Sequence, residues 1–275
     1  MTAATEPYEI HCAEVWGGVS VKDDNVATPG VHAAIHSSAS GDAKGGDVYY
    51  FSVCAYDALT RIALADVRGH GQEVSHLSEW LYQSLEARMN DSDGAGVLTD
   101  LNQVVRKQGL EAITTAVVAT IDRNKRQLSY AYAGHPPMFL GGHGLDWHLL
   151  KVAETQGPAN LPLGVLPEAR FTQETVSVKP GDRLFLYSDG VAECPGPDDS
   201  FYGDERMLDM LRRTGGDSVA TARTRLLGDL TNYAAGPLIH DDCTFLLVEV
   251  LKSPQVWKRR FFAGKPRPEK RRAPL

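Results

Sequence analysis

Aspartates stand at four edges of apolar runs in this sequence. Asp66 ends RIALAD, and Asp189 follows RLFLYS. Asp47 comes directly before VYYFSVC, and the pair Asp241–Asp242 comes directly before CTFLLVEVL. One aspartate in such a position is typical of a turn, because aspartate and glycine are common where strands stop. Four strand-edge positions are less easily explained by turns alone, and they define a candidate site.

A cluster of carboxylates is typical of a cation site. Carboxylates that lie close together repel one another, which raises their pKa values and destabilises the fold unless a cation lies between them. Hard oxygen ligands suit Mg²⁺ or Mn²⁺. Two such ions about 4 Å apart can activate a water and stabilise phosphoryl oxygens. The spacing of the aspartates in the chain does not show that the four edges meet, so convergence is a hypothesis for the structure to address.

The elements that would position these aspartates are mostly hairpins. The pattern predicts a hairpin of strands 48–54 and 61–66, and a second hairpin of strands 114–122 and 127–134. Further predicted strands cover 8–15, 31–37, 171–178, 183–188 and 243–251, with a short one in PPMFLGG. Helices are predicted over 72–89 and 97–107, with two more in 204–235, and 141–160 is predicted to be a glycine-rich loop.

Hairpins outnumber βαβ patterns, so the sequence predicts an α+β protein with mainly antiparallel sheets and separate runs of helices. The chain of 275 residues is long enough for a substantial core. It contains no apolar run long enough to span a membrane, and its first residues lack the pattern of a secretory signal. Its four cysteines are far apart, which disfavours a zinc site or a disulfide framework. We therefore expect a cytoplasmic protein.

Charge is distributed unevenly along the chain. Of 28 Lys and Arg residues, nine lie in 252–275, against one of the 35 acidic residues, which leaves 1–251 with a net charge of −15. The acidic body disfavours nucleic-acid binding, which needs a basic face. The segment 252–275 is predicted to be a flexible tail, either simply solvated or able to contact an acidic partner or an anionic membrane surface.

Six sequence blocks, in order, carry a family resemblance: KGGDVYYF, LADVRGHG, TTAVVATID with SYAYAGHPP, LPLGV, KPGDRLFLYSDGVAE and HDDCTFLLVEV. They span about 45–251 and resemble the PPM (PP2C-type) protein phosphatases, in their bacterial SpoIIE/RsbU-like branch. The resemblance implies a four-layer α-β-β-α sandwich, with residues 1–251 as one phosphatase domain. It also implies hydrolysis of phosphoserine or phosphothreonine in a phosphorylated protein. The implied mechanism uses two Mn²⁺ or Mg²⁺ ions and direct attack by a water that bridges them.

The resemblance also implies roles for single residues. Asp66 would bridge both metals, the carbonyl of Val67 would complete the first metal's ligands, and Asp47 would support that metal directly or through water. Asp189 and Asp241 resemble ligands of the second metal, with Asp242 as the alternative to Asp241.

Two neighbours of Asp66 have open roles. His70 is either a general acid for the leaving seryl oxygen or a turn histidine outside the ligand shell. Arg68, where the family often has serine, either contacts substrate phosphate or points to solvent.

Two rival functions are a phosphoprotein-binding or partner-switching module with little turnover, and a two-metal nuclease, which the acidic body disfavours.

Overall fold

The computed structural model describes residues 6–40, 43–89, 91–142, 145–153, 159–198 and 200–252. Its strands, in chain order, are β1 (Tyr8–Glu9), β2 (Val15–Ser20), β3 (Lys22–Ala27), β4 (Val31–Ser38), β5 (Lys44–Cys54), β6 (Leu59–Val67), β7 (Thr114–Asp122), β8 (Gln127–Ala133), β9 (Phe139–Gly142), β10 (Leu145–Leu149), β11 (Gln173–Ser177), β12 (Asp182–Tyr187) and β13 (Cys243–Val250). The α-helices are α1 (Ser75–Arg88), α2 (Gly94–Gln108), α3 (Asp189–Ala192), α4 (Gly203–Arg213) and α5 (Val219–Tyr233). Short 3₁₀ helices cover Gly71–Glu73 and Leu110–Ala112.

The strands form two sheets. Sheet A has seven strands in the order β1-β3-β4-β13-β12-β9-β10, and sheet B has six in the order β11-β8-β7-β6-β5-β2. Every neighbouring pair is antiparallel except β1 with β3. The predicted α+β class with antiparallel sheets is therefore confirmed.

The two sheets and the two pairs of helices form four layers, and an apolar cluster fills each of the three spaces between them. One cluster joins the facing surfaces of the two sheets and includes Phe51, Leu64 and Leu246. A second lies between sheet B and the pair α1 and α2, and a third lies between sheet A and the pair α4 and α5. Both sheets are thus covered on both faces, which explains why β6 and β13 have long apolar runs rather than alternating patterns. The four-layer sandwich is as predicted.

Two segments differ from the sequence prediction. The strand expected over 8–15 is wrong: β1 covers only Tyr8–Glu9, and two further strands, β2 and β3, follow it. β2 contains two glycines and is an edge strand that pairs with β5 through its backbone, which glycine supplies as well as other residues do. The loop expected over 141–160 is also wrong in part, because β10 pairs there with β9.

Among the helices in the described parts of the chain, none combines the length and the apolar character needed to cross a bilayer.

Candidate metal centre

Asp47 and Asp66 face each other across two neighbouring strands. In the antiparallel register of β5 and β6 they are direct partners. Asp47 is buried, with 3% of its surface exposed, and Asp66 is half-buried. Side chains of directly paired residues lie about 5 Å apart at Cβ, so the hairpin alone brings two carboxylates together.

Asp189 and Asp241 come to the same edge from sheet A. Asp189 follows β12 and begins α3, and Asp241 precedes β13, the strand paired with β12. Gly190 brings the two segments into contact: a Cβ there would lie only 2.1 Å from the carbonyl oxygen of Asp242 and 3.3 Å from the Cβ of Asp241. His240 Nε2 lies 2.8 Å from the Gly190 carbonyl oxygen and ties the same segments together.

The carboxylates are near enough to one another to interact electrostatically. Burial is the main cause that raises the pKa of Asp66 well above its usual range, and the negative charges of Asp47, Asp189, Asp241 and Asp242 raise it further. Burial likewise raises the pKa of Asp241, with contributions from Asp189 and Asp242. The four strand edges therefore lie near one another, and the ligand roles of their aspartates stay predictions.

Asp47 is more deeply buried than Asp66, Asp189 and Asp241. Its burial raises its pKa to about 8, although a hydrogen bond from Ser188 opposes the shift. Ser188 Oγ donates to Asp47 Oδ2 at 2.8 Å, while Oδ1 is buried without a hydrogen-bond partner among the described residues. A buried carboxylate oxygen with no donor is costly unless something else satisfies it. A divalent cation would do so, and the oxygen donors around Asp47 are of the chemical type that Mg²⁺ and Mn²⁺ prefer.

Backbone also approaches this site closely. A Cβ on Gly46 would lie 2.7 Å from the carbonyl oxygen of Val67 and 2.9 Å from that of Gly69. Only glycine lets the start of β5 lie against these carbonyls. The Val67 carbonyl is thus beside Asp47, in the region where the sequence interpretation expects it to act as a ligand.

Asp242 has a different environment from Asp241. Its carboxylate accepts backbone N–H bonds from Ser40 at 2.7 Å, from Gly71 at 3.1 and 3.2 Å to its two oxygens, and from Gly46. It is buried, and it joins the loop before β5, the first residues of β5 and the loop after β6. Because these donors occupy both oxygens, we propose Asp241 rather than Asp242 as the metal ligand.

Replacement of Asp242 by alanine should destabilise the fold strongly. It leaves the backbone N–H groups of buried Gly46 and Gly71 and of half-buried Ser40 without an acceptor, and a buried N–H without an acceptor costs about 1–3 kcal/mol. We expect the free energy of unfolding in urea to fall by roughly 3–5 kcal/mol. Asp241→Ala, measured in the absence of metal, is the matched control and should lose much less. Equal losses in the two variants would contradict the assignment.

His70 and Arg68 both lie at the rim. Each is exposed. His70 is near enough to Asp241 for its charge to lower the pKa of that carboxyl. Arg68 donates its backbone N–H to the Ile113 carbonyl at 2.9 Å. His70 therefore borders the acidic cluster from the solvent side, while the role of Arg68 stays open.

The sequence interpretation missed a second layer of polar residues behind the aspartates. Ser188 also accepts the Thr244 N–H at 3.0 Å, and Thr244 Oγ1 donates to Ser37 at 2.9 Å. Behind Asp66, its cross-strand partner Thr115 is hydrogen-bonded at 2.9 Å to His135, whose burial lowers its pKa to about 3. Ser188 precedes Asp189, and this adjacency was the one sequence signal that could have indicated its role.

Within the described residues, no group of three or more His, Cys, Asp or Glu side chains is arranged so that it could hold a metal ion as it stands. The aspartates share one edge of the sandwich, and their side chains would have to close around a cation. The donor set contains only carboxylates and carbonyls, which is the chemistry that Mg²⁺ and Mn²⁺ prefer.

Two facing antiparallel sheets with helices outside and an acidic cluster at one edge define a PP2C-type fold, and solved structures confirm it. The SiaA PP2C domain of Pseudomonas aeruginosa has a TM-score of 0.68 at 22% identity and covers 79% of this chain and 85% of that one. The catalytic domain of the serine/threonine phosphatase PstP, solved with two manganese ions, has a TM-score of 0.54 at 20% identity and covers 81% and 99%. At these identities the likeness establishes the fold alone.

The chain belongs to the family described as Stage II sporulation protein E (SpoIIE), whose model matches residues 57–251. Among curated relatives, protein IcfG of Synechocystis is 32% identical over 139 residues, which is 49% of this chain and 20% of that protein. Phosphoserine phosphatase RsbP of Bacillus subtilis is 24% identical over 212 residues, which is 74% of this chain and 49% of RsbP. This chain thus matches half or less of these relatives' length.

Proposed function

We propose that this chain is a metal-dependent protein serine/threonine phosphatase. The observation that carries the proposal is the convergence of Asp47, Asp66, Asp189 and Asp241 on one edge of a PP2C-type sandwich. The relative named as a phosphoserine phosphatase, and the solved neighbour with two manganese ions, support the reaction class and the metal. The substrate class is a phosphorylated protein, and residues 1–251 are proposed to be the phosphatase domain.

The proposed ligands divide between the two sheets. Asp66 and Asp47, with the carbonyl of Val67, would hold one Mn²⁺ or Mg²⁺ from sheet B, while Asp189 and Asp241 would hold a second from sheet A, with Asp66 shared. When bound, such a pair of ions supplies Lewis-acid activation of water and charge neutralisation at a phosphoryl group.

The protein's own groups prepare this site in three ways. Ser188 holds Asp47 in place from sheet A by its hydrogen bond, so the two sheets keep a fixed distance at this edge. Asp242 fixes the loops on either side of the β5–β6 pair. His70 lies at the exposed rim beside Asp241 and would give a proton to the leaving seryl oxygen.

Metal-dependent hydrolysis is the direct test of the proposal. Hydrolysis of p-nitrophenyl phosphate and of a phosphoserine peptide should require Mn²⁺ or Mg²⁺, stop with a chelator, and return when the ion is restored in excess. Calorimetric titration of the same protein should show Mn²⁺ binding. Binding of phosphopeptide with no turnover at any metal concentration would instead support the phosphoprotein-binding module.

His70→Ala separates the proton-donor role from a structural one. A general acid contributes roughly 10²–10⁴-fold, but p-nitrophenolate leaves without needing a proton. We expect a loss of about 10²-fold in kcat on the phosphoserine peptide and less than about threefold on p-nitrophenyl phosphate.

The matched control is His76→Ala, because His76 is also exposed and lies on α1. It should leave both activities unchanged. Equal losses on the two substrates for His70→Ala would show that His70 shapes the site rather than donating a proton.

A further inference from the structure

The exposed large hydrophobic side chains of this protein are unevenly distributed. Tyr8 and Tyr56 lie at the end of the sandwich far from the aspartates, because Tyr8 pairs with Val26 near the end of β3 and Tyr56 lies in the turn between β5 and β6. Single exposed hydrophobic residues are normal on a surface, whereas several around one site indicate a surface that a partner covers. Three further exposed hydrophobic residues lie around the acidic cluster: Leu110, Val165 and Ile239.

Ile239 lies on the sheet A side of the cluster. It precedes Asp241 by two residues, so their Cα atoms are at most about 7 Å apart. The Ile239 carbonyl accepts the Ser40 hydroxyl at 2.7 Å, and the Ser40 N–H in turn donates to Asp242. These bonds fix the backbone at Ile239, yet the residue remains 60% exposed. An apolar side chain is therefore held in solvent directly beside a candidate metal ligand.

Val165 lies on the sheet B side. Leu163 and Thr114 exchange two backbone hydrogen bonds, at 2.8 and 3.2 Å, which places the segment 163–165 beside the first residue of β7. Thr114 pairs on its other side with Val67, the last residue of β6. Leu163 is thus two strand spacings from Val67, or about 10 Å. Val165, two residues further along, is 40% exposed.

Leu110 adds to the same side. It begins the 3₁₀ helix that leads into β7 and is 71% exposed. The Ile113 carbonyl, just after this helix, accepts the Arg68 N–H at 2.9 Å, so this part of the chain contacts the turn that follows β6. Gly164 packs against the same residue, because a Cβ there would lie 3.7 Å from the Ile113 Cα. Leu110 and Val165 therefore flank one segment at the edge of the site.

Charged residues around these positions are of both signs. On the sheet B side the exposed charges include Arg68 and Lys107 as well as Glu73, Glu111 and Glu168. Lys44, at the start of β5, is paired with Glu79 of α1 at 2.5 Å. Neither sign is in large excess, so the surface around the site is distinguished by its exposed apolar side chains rather than by one charge.

We propose that Leu110, Val165 and Ile239, called the apolar rim below, bind apolar residues of the substrate polypeptide on either side of its phosphoserine. The inference rests on the proposed function, since it requires a phosphoseryl group at the aspartates. A polypeptide in that position runs between the sheet A and sheet B sides and covers the rim. An extended chain advances about 3.3 Å per residue, so the rim would meet side chains two to four residues from the phosphoserine.

This narrows the proposed substrate class. The acidic body alone would favour phosphoserines in basic sequences, by charge attraction. The apolar rim instead favours phosphoserines with leucine- or valine-like residues at these positions, because contact removes apolar surface of both partners from water. The two alternatives predict opposite orders of affinity for peptides that differ only in the residues beside the phosphoserine.

Fluorescence anisotropy of labelled peptides with the full chain and Mn²⁺ tests the inference. Three peptides of equal length carry a non-hydrolysable phosphonate analogue of phosphoserine, with Leu and Val, Ser and Gly, or Lys and Arg at positions two to four on both sides. We expect the Leu/Val peptide to bind about tenfold or more tightly than the Ser/Gly peptide, which corresponds to the burial of one or two apolar side chains. The Lys/Arg peptide should bind more weakly than the Leu/Val peptide.

The decisive variant combines Leu110→Ser, Val165→Ser and Ile239→Ser. It should weaken binding of the Leu/Val peptide by about tenfold or more and binding of the Ser/Gly peptide by less than about twofold. The matched control, Tyr8→Ser with Tyr56→Ser, removes exposed aromatic residues at the opposite end and should change neither affinity. Both variants should keep the thermal unfolding temperature of the parent protein, because the replaced side chains are exposed.

Four results would overturn the proposal. These are equal affinity of the parent protein for the Leu/Val and Ser/Gly peptides, tightest binding of the Lys/Arg peptide, binding of none of the three, and equal binding of the Leu/Val peptide by the rim variant and the control. Turnover of p-nitrophenyl phosphate by the parent protein judges the phosphatase proposal separately. If turnover were absent while the Leu/Val preference depended on the rim, the rim would stand and the phosphatase proposal would fail.

Discussion

Asp66→Asn is expected to reduce Mn²⁺-dependent turnover by about 10³-fold or more, which corresponds to roughly 4 kcal/mol of transition-state stabilisation. Asparagine keeps the size of the side chain and one oxygen but removes the charge that two cations would share. Loss of groups that only support metal ligands costs about 10–100-fold, so a shared ligand should cost more. The measurement is kcat on p-nitrophenyl phosphate at saturating Mn²⁺, with Mn²⁺ affinity from calorimetry.

The same substitution should make the metal-free protein more stable. Asp66 is destabilised by its burial and by four neighbouring carboxylates, and asparagine removes that repulsion. A folded, stabilised and inactive variant is a combination that simple structural damage cannot produce. Thermal unfolding with a chelator present measures it.

Asp100→Asn is the matched control for this experiment. Asp100 is exposed on α2, away from the acidic cluster, and its replacement should change neither activity nor stability measurably. If Asp66→Asn kept more than a tenth of the parent activity, the shared-ligand role of Asp66 would be wrong.

Local sequence patterns predicted the strand edges that carry the aspartates, but they could not predict how those edges meet. The hairpin of β5 and β6 was predicted from its apolar runs, and it pairs Asp47 with Asp66 directly. Asp242, by contrast, accepts a hydrogen bond from Gly46, 196 positions away. Contacts at such separations depend on the packing of one sheet against the other, which no window of 10–20 residues contains.

The roles of Asp241 and Asp242 show the same limit. The two residues have the same chemistry and adjacent positions, so the sequence left the choice of ligand open. The structure distinguishes them by their surroundings, because backbone N–H groups from three separate segments surround only Asp242. Any residue type except proline can supply a backbone N–H donor, so these donors cannot be recognised in the sequence. A carboxylate at a strand edge can be recognised there.

The polar residues behind the site could not be predicted from the sequence either. Ser188, Thr244 and Thr115 are common residue types in or next to strands, and only their hydrogen bonds and positions around the aspartates give them a role. They matter because their hydrogen bonds affect the pKa values of the aspartates. The pH dependence of the stability of the metal-free protein should report those pKa values.

The metal-free protein should lose stability as the pH rises from about 6.5 to about 8. The pKa of Asp47 is raised to about 8 in the folded protein, against an ordinary value of 3.8 for an aspartate side chain. Between these values the folded state binds more protons than the unfolded state, so rising pH favours unfolding, by about 1.4 kcal/mol per pH unit for one proton. Buried His135, with its pKa lowered to about 3, has the opposite effect, but only below its ordinary value of 6.5.

Between pH 6.5 and 8, the pH dependence of the free energy of unfolding should therefore come mainly from the carboxylates. Three series of urea titrations across this range test whether proton binding by the carboxylates is coupled to metal binding. The metal-free parent should lose roughly 2 kcal/mol, while Asp47→Asn, which cannot titrate at this position, should lose much less. Saturating Mn²⁺ should flatten the parent's dependence, because a cation holds the carboxylate deprotonated in the folded state. For the same reason the apparent affinity for Mn²⁺ should rise by up to about tenfold per pH unit, with protons released on binding. If the parent and Asp47→Asn had the same pH dependence without metal, Asp47 would not be a proton-linked ligand, and its place in the centre would have to be given up.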